Sequence, residues 1–333
     1  METSWAELVE DARWAPSPHN MQSWLLRPLS AGEAELLYDP ARTLPDTDPG
    51  GRFVTVGLGV FVESLAVAAA ARGLGVEIAY EEARIDPGVS GPAPFARLTL
   101  VARDVEELLE VELLRRRRTS RLPYDGRAVP AAVLEQLGAL AAGHGHVLRW
   151  SSEPGLVAAV LRLNEETLFF DMTDPAARRE VGRWLRFSAD EAARRRDGFS
   201  PATLGFPGPL LKLFFRRHRL LELPGTRGAV RLLYRRTMRG TRTIAWLQGP
   251  FERPYHWLEA GRLLQRLWLT LTAHGLQLHP FGSIVTNQQA NARAHAVLEL
   301  APDAGTFWLA LRLGYSAEPP RSYRLETEQL LVP

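Results

Sequence analysis

Two short stretches carry the side chains whose chemistry stands out. The first, "APSPHNMQSW" (15–24), sets Ser17, His19, Asn20 and Gln22 around Pro16 and Pro18. Two prolines fix φ twice and withdraw two backbone donors, so the segment is stiff and cannot continue a helix. A rigid loop bearing a hydroxyl, an imidazole and two amides suits a polar ligand. The other reading is an ordinary polar turn anchored by Trp24. The second stretch, "ELLRRRRTSRLPYDGRAVP" (112–130), groups Arg117, Arg118, Thr119 and Arg121 just before the breaker Pro123. Forked cations with a hydroxyl at a turn have the chemistry of a phosphate clamp. Arg115 and Arg116 read equally well as a solvated face. His144 and His146 have no carboxylate or cysteine nearby and read as loop residues, not metal ligands. No side-chain nucleophile and no Gly-x-Gly-x-x-Gly dinucleotide fingerprint is evident.

Elements must hold these residues. Ser4 and Glu7 form a capping box for a helix whose Leu8, Asp11, Ala12 and Ala15 follow at helical spacing and which stops at Pro16. A faint internal repeat organises the rest. "GVFVESLAVAAAARGLGVEI" from Gly59 matches "GRLLQRLWLTLTAHGLQLHP" from Gly261, each an apolar helix ending at Gly-Leu (Gly73-Leu74, Gly275-Leu276) with a strand to follow. The alternating strands "FARLTLVA" (95–102) and "FWLALRLG" (307–314) match in turn, and the openings 7–24 and 133–150 align Trp24 with Trp150. The chain therefore reads as two related halves, 1–110 and 111–333. The second is interrupted by a helical insertion at about 151–250, and only the first keeps the polar loop.

With 333 residues, 46% apolar and 23% charged, the chain is globular with a sizeable core. The absence of cysteine excludes disulfides, thiolate metal sites, iron–sulfur clusters and cysteine nucleophiles. Net charge is only +2, and Lys212 is the sole lysine among 40 basic residues. No nucleic-acid-binding motif is present. No signal peptide and no run of membrane-spanning length is read, so the expectation is a cytoplasmic protein.

Taken together, "ARWAPSPHNMQSW", "RRTSRLPYD", "PDTDPGGR" (45–52), "RRRDGFSPATLG" (194–205) and "LRLGYSAEPP" resemble the nitroreductase family of flavoproteins, in its fused, Acg-like branch. The resemblance implies an α+β nitroreductase-like fold, two halves fused as a pseudo-dimer, and a helical lid in the second half. It implies FMN, with Pro16, Ser17, Pro18, His19, Asn20 and Gln22 along the flavin. Arg117, Arg118, Thr119 and Arg121 would clamp the phosphate and the pyrimidine edge, and Pro280, Phe281, Gly282 and Ser283 would lie near N5. Arg321 and Arg324 stand where the family carries a further phosphate contact. One FMN per chain is expected, because the second half lacks the loop and the first lacks the arginine turn.

The implied activity is hydride transfer through the flavin from a donor such as NAD(P)H to a small oxidised substrate, nitro, quinone or similarly conjugated. An FMN store or sensor, or a dehydrogenase dedicated to one biosynthetic intermediate, is the alternative. His279 is either a proton relay or a core histidine. The apolar, arginine-rich stretch 206–242 reads as a lid, as a solvated hairpin, or as a peripheral membrane contact without stable insertion. The chain stands as a pseudo-dimeric monomer or a further homodimer.

Overall fold

The computed structural model describes residues 3–80, 84–103 and 107–333, with the backbone alone at 221 and 222. The expected α+β content is found as two four-stranded antiparallel sheets with helices around each. The chain divides into two compact units: Met1–Arg117 with Phe251–Thr270 and Tyr323–Pro333, and Arg118–Pro250 with Leu271–Ser322.

The first unit holds β1 (Trp24–Pro28), β2 (Glu33–Tyr38), β3 (Leu74–Tyr80) and β4 (Ala93–Ala102), in the order β1-β2-β4-β3. Its central helix, Arg52–Ala70, begins where the "PDTDPGGR" motif supplies the N-terminal cap. Gly51 adopts φ +64°, and the Asp48 carboxylate accepts from the backbone N–H groups of Arg52, Phe53 and Val54 at 3.0, 2.8 and 3.1 Å. Burial outweighs those three donors and pushes the Asp48 carboxyl up to about 6. Phe61 of this helix stacks on Trp24 with ring centroids 4.9 Å apart. The helix corrects one expectation. With a mean hydropathy of 2.0 it is long and apolar enough to cross a membrane, yet 89% of its apolar window is buried within the structure. It is a core helix.

A second long helix, Pro254–Ala273, crosses the first inside the same unit. A Cβ on Gly59 would lie 2.0 Å from the Leu258 carbonyl oxygen, and one on Gly261 would lie 2.1 Å from that of Val56. Each glycine thus meets the carbonyl three residues before the other. Past the crossing, Gln265 donates to Ser64 at 2.9 Å, and Arg266 bridges Glu63 at 2.7 Å and Glu107 at 2.9 Å.

The second unit holds β5 (Val147–Ser151), β6 (Thr243–Gly249), β7 (Gln277–Pro280) and β8 (Thr306–Gly314), in the order β5-β6-β8-β7. Both sheets follow the same path in chain order. Both also break register at the central pair, at Leu36/Leu37 against β4 and at Leu247/Gln248 against β8. Between β5 and β6 run helices Pro154–Asp171, Pro175–Arg183, Ala189–Arg195, Pro201–Leu204, Gly208–Arg216 and Pro224–Thr237. The helix Pro175–Arg183 opens on its proline and is capped by Asp174. The expected interruption, however, ends at residue 242. Residues 243–249 are β6, buried at every position. A strand buried on both faces lacks the alternation that marks a half-exposed one. Ahead of the arginine turn the described residues form a short helix, Glu112–Arg116.

Candidate functional site

In the first unit the loop after helix Trp5–Ala12 folds as a single 3₁₀ turn, Pro18–Asn20. His19, Asn20 and Gln22 take φ of +49°, +56° and +56°, the left-handed region that non-glycine residues rarely occupy. Each costs on the order of 1–3 kcal/mol and persists only where the surroundings over-determine it. The surroundings are explicit. Ser17 Oγ accepts from the Gln22 N–H at 2.9 Å. Asn20 Nδ2 donates to the Tyr323 carbonyl at 3.1 Å and its Oδ1 accepts from Arg324 Nη1 at 2.8 Å. Gln22 Oε1 accepts from the Leu325 N–H at 2.8 Å. Helix Arg52–Ala70 braces the other side, where a Cβ on Gly57 would sit 3.3 Å from Pro18. Asn20 and Gln22 are buried and tie the loop to the C-terminal segment; Ser17, Pro18 and His19 are half-buried, and Pro16 is buried.

Two guanidinium groups lie against this loop. Arg324 donates to the carbonyls of Ala15 at 3.1 Å and Trp14 at 3.4 Å, as well as to Asn20. Arg117 donates Nη2 to the same Trp14 carbonyl at 3.1 Å and lies over the Trp268 ring, 4.6 Å from its centroid. Arg117 Nε and Nη1 are buried and have no hydrogen-bond partner among the described residues. Burial, and then the neighbouring Arg324 charge, hold the Arg117 guanidinium well below its ordinary basicity. Burying a cation without a counter-charge costs several kcal/mol, and each unmet donor adds to that cost. An anion supplying two acceptors is the chemistry that would relieve both.

In the second unit the arginine turn lies along β7. Thr119 bridges to Leu278, and the Ser120 N–H donates to the Leu278 carbonyl at 3.2 Å. Arg118 bonds the Pro319 carbonyl at 2.7 Å and the exposed Glu318 at 2.6 Å. Arg121 reaches the Thr203 carbonyl at 3.3 Å and lies over Phe199, and burial with the Arg312 charge pushes it down to about 10. At the end of β7, Pro280 is half-buried, and the Phe281 N–H donates to the Ala310 carbonyl at 2.8 Å. Gly282 opens a five-residue helix, exposed and with nothing near its Cβ position. Ser283 bonds Asp171. Arg321 is exposed and Arg324 is buried.

Sequence reasoning passed over Arg312, which is fully buried on β8. All five of its N–H donors are engaged. Nε donates to His279 Nδ1 at 3.2 Å, Nη1 to Thr237 O at 2.9 Å and Thr241 Oγ1 at 3.3 Å, and Nη2 to Ser120 O at 3.0 Å and Leu122 O at 2.9 Å. The Tyr124 ring lies 4.2 Å away. Arg312 therefore pins the arginine turn to the sheet. It also sets the state of His279. An Nδ1 that accepts belongs to a neutral ring carrying its proton on Nε2, and burial, Arg312 and Arg121 hold that imidazole well below its ordinary pKa. The proton-relay reading of His279 has this against it.

No family model and no curated protein matches the chain. Among solved structures it is similar to an FMN-bound nitroreductase from Bacteroides fragilis, at 12% identity over 62% of this chain and 88% of that one, TM-score 0.36. It is similar also to the FMN-dependent nitroreductase NfnB from Mycobacterium smegmatis in complex with NADPH, at 16% identity over 65% and 94%, TM-score 0.42. A third is an FMN-bound nitroreductase from Desulfitobacterium hafniense, at 12% identity over 67% and 98%, TM-score 0.37.

Proposed function

We propose that the chain is an FMN-dependent oxidoreductase of the nitroreductase type. The observation that carries the reading is Arg117, whose two buried, unmatched donors sit beside Arg324 and a loop held in strained backbone. A flavin phosphate has the charge and the acceptor oxygens that the Arg117 donors lack. Bound FMN supplies hydride transfer between a donor such as NAD(P)H and a small nitro, quinone or similarly conjugated substrate. The chain's own part is position and charge. Arg117 and Arg324 hold the phosphate, Ser17, Pro18 and His19 form the half-buried face of the loop, and Asn20 and Gln22 keep that face rigid. Thr119, Arg121 and Pro280–Ser283 enter the reading as further cofactor contacts, and the helices between 151 and 242 as a cover. A duplicated origin belongs to the same reading, supported by the shared strand order and by the reciprocal approach of Gly59 and Gly261.

Titration of the apoprotein with FMN tests the proposal. Arg117→Ala removes a charged, desolvated partner and is expected to weaken binding by on the order of a hundredfold. Arg121→Ala, read in the same assay, is expected to weaken it as well. Wild-type affinity in Arg117→Ala would remove the phosphate assignment, and a wild-type protein that takes up no FMN would remove the cofactor. Anaerobic addition of NADH or NADPH to the loaded protein then separates a reductase, whose flavin band bleaches, from a store, whose band persists.

A further inference from the structure

From Gly198 to Phe251 the sequence holds one acid, Glu222, against Lys212 and nine arginines. The structure sorts this stretch by face. On helix Gly208–Arg216 the rings turn inward, Phe215 onto Phe187 at 5.9 Å and Phe214 onto Phe206 at 6.3 Å. On helix Pro224–Thr237 the inward groups are Tyr234, bonded to Asn164, and Arg231, over Phe169, while the exposed Arg235 pairs with Glu165 at 2.6 Å. Outward stand leucines, where a solvated hairpin would present polar residues. Leu210, Leu213, Leu223 and Leu232 are 42%, 44%, 53% and 52% exposed, and helix Pro224–Thr237 contains no buried residue. Exposed Lys212, Arg216, Arg217, Arg219 and Arg236 accompany them, with Leu232 and Arg236 one turn apart on the same helix side.

We propose that the outer face of Gly208–Thr237 docks the protein on an anionic lipid bilayer. Leucines flanked by cations match an interface with negative headgroups above hydrocarbon, where apolar side chains and arginine charge act together. A second copy of the chain would bring like charge against like. Nucleic acid would be met by cations with exposed rings for stacking, and here the rings are turned in. The surface is independent of the flavin reading.

Cosedimentation of the full chain with phosphatidylcholine vesicles, with and without phosphatidylglycerol, tests it. The wild type is expected to pellet with the anionic vesicles alone and to be released by salt. Arg216→Gln, Arg217→Gln and Arg219→Gln combined should weaken partitioning by on the order of a hundredfold. Leu210→Ser, Leu213→Ser and Leu232→Ser combined should also abolish pelleting, with an unchanged melting curve because the leucines are exposed. Three outcomes would overturn the proposal: a wild type that stays in the supernatant, a leucine variant that pellets like the wild type, which marks plain adsorption to any polyanion such as nucleic acid, or a vesicle-free dimer that the leucine variant dissolves.

Discussion

Arg312 and His279 make a pair whose consequences are measurable at single residues. Lysine offers three donors where Arg312 uses five, so Arg312→Lys strands at least two of the acceptors on Ser120, Leu122, Thr237, Thr241 and His279. A cost of about 2–4 kcal/mol is expected in denaturant melts. His279 acts with a definite sign. Its folded pKa lies below the unfolded value near 6.5, so below that pH the unfolded chain binds the extra proton. Its contribution is therefore intact above pH 6.5 and is lost as pH falls toward the folded pKa, at up to about 1.4 kcal/mol per pH unit. His279→Gln keeps an acceptor for Arg312 and cannot titrate. The difference in stability between it and the wild type should be flat above pH 6.5 and should move in the variant's favour below. A parallel pair of curves would mean that His279 protonates freely in the folded protein. The sequence marked the arginine turn and the Pro-Ser-Pro loop because their composition is unusual for loops. It hid Arg312 because one arginine in an apolar strand reads as an outward residue, and only burial on both faces of β8 makes it a tie.

Helix against helix, the decisive residues are the smallest. Gly→Ala inside a helix gains about 1 kcal/mol from propensity alone. At Gly59 and Gly261 the new methyl would instead fall about 2 Å from a backbone carbonyl of the crossing helix, which no rotamer change can relieve. The clash wins, and Gly59→Ala and Gly261→Ala should each destabilise by about 1–3 kcal/mol or more, whereas Gly32→Ala, with open space at its Cβ, should stay within about 0.5 kcal/mol. Equal melting points for all three variants would show that the two helices do not approach as described. These glycines were legible as the matching first residues of a repeat, and the strands after Gly73 and Gly275 were legible from the Gly-Leu that ends each helix. The reason for the glycines, a contact between segments two hundred residues apart, is not written in either segment. The helix Arg52–Ala70 shows the converse limit. An all-round apolar helix has the composition of a membrane span, and only its packing under β1 and against its crossing partner, within the first unit, makes it a core.

For the whole molecule the controlling fact is connectivity. The chain passes between its two compact units at 117/118, 250/251, 270/271 and 322/323, so neither unit is a continuous piece of sequence. Helix Pro254–Ala273 supplies Pro254–Thr270 to one unit and its last turn to the other. Unfolding either unit would leave loose ends in the other. A single cooperative transition is therefore expected in calorimetry, with the calorimetric and van't Hoff enthalpies equal. A ligand bound only by the native state must raise that transition as a whole. Free FMN at about a hundred times its dissociation constant adds about 2.7 kcal/mol. In Arg117→Ala the same FMN concentration should add far less. Two resolved transitions, with FMN moving one of them, would instead give the units separate stabilities, and the one that moved would be the unit that holds the cofactor.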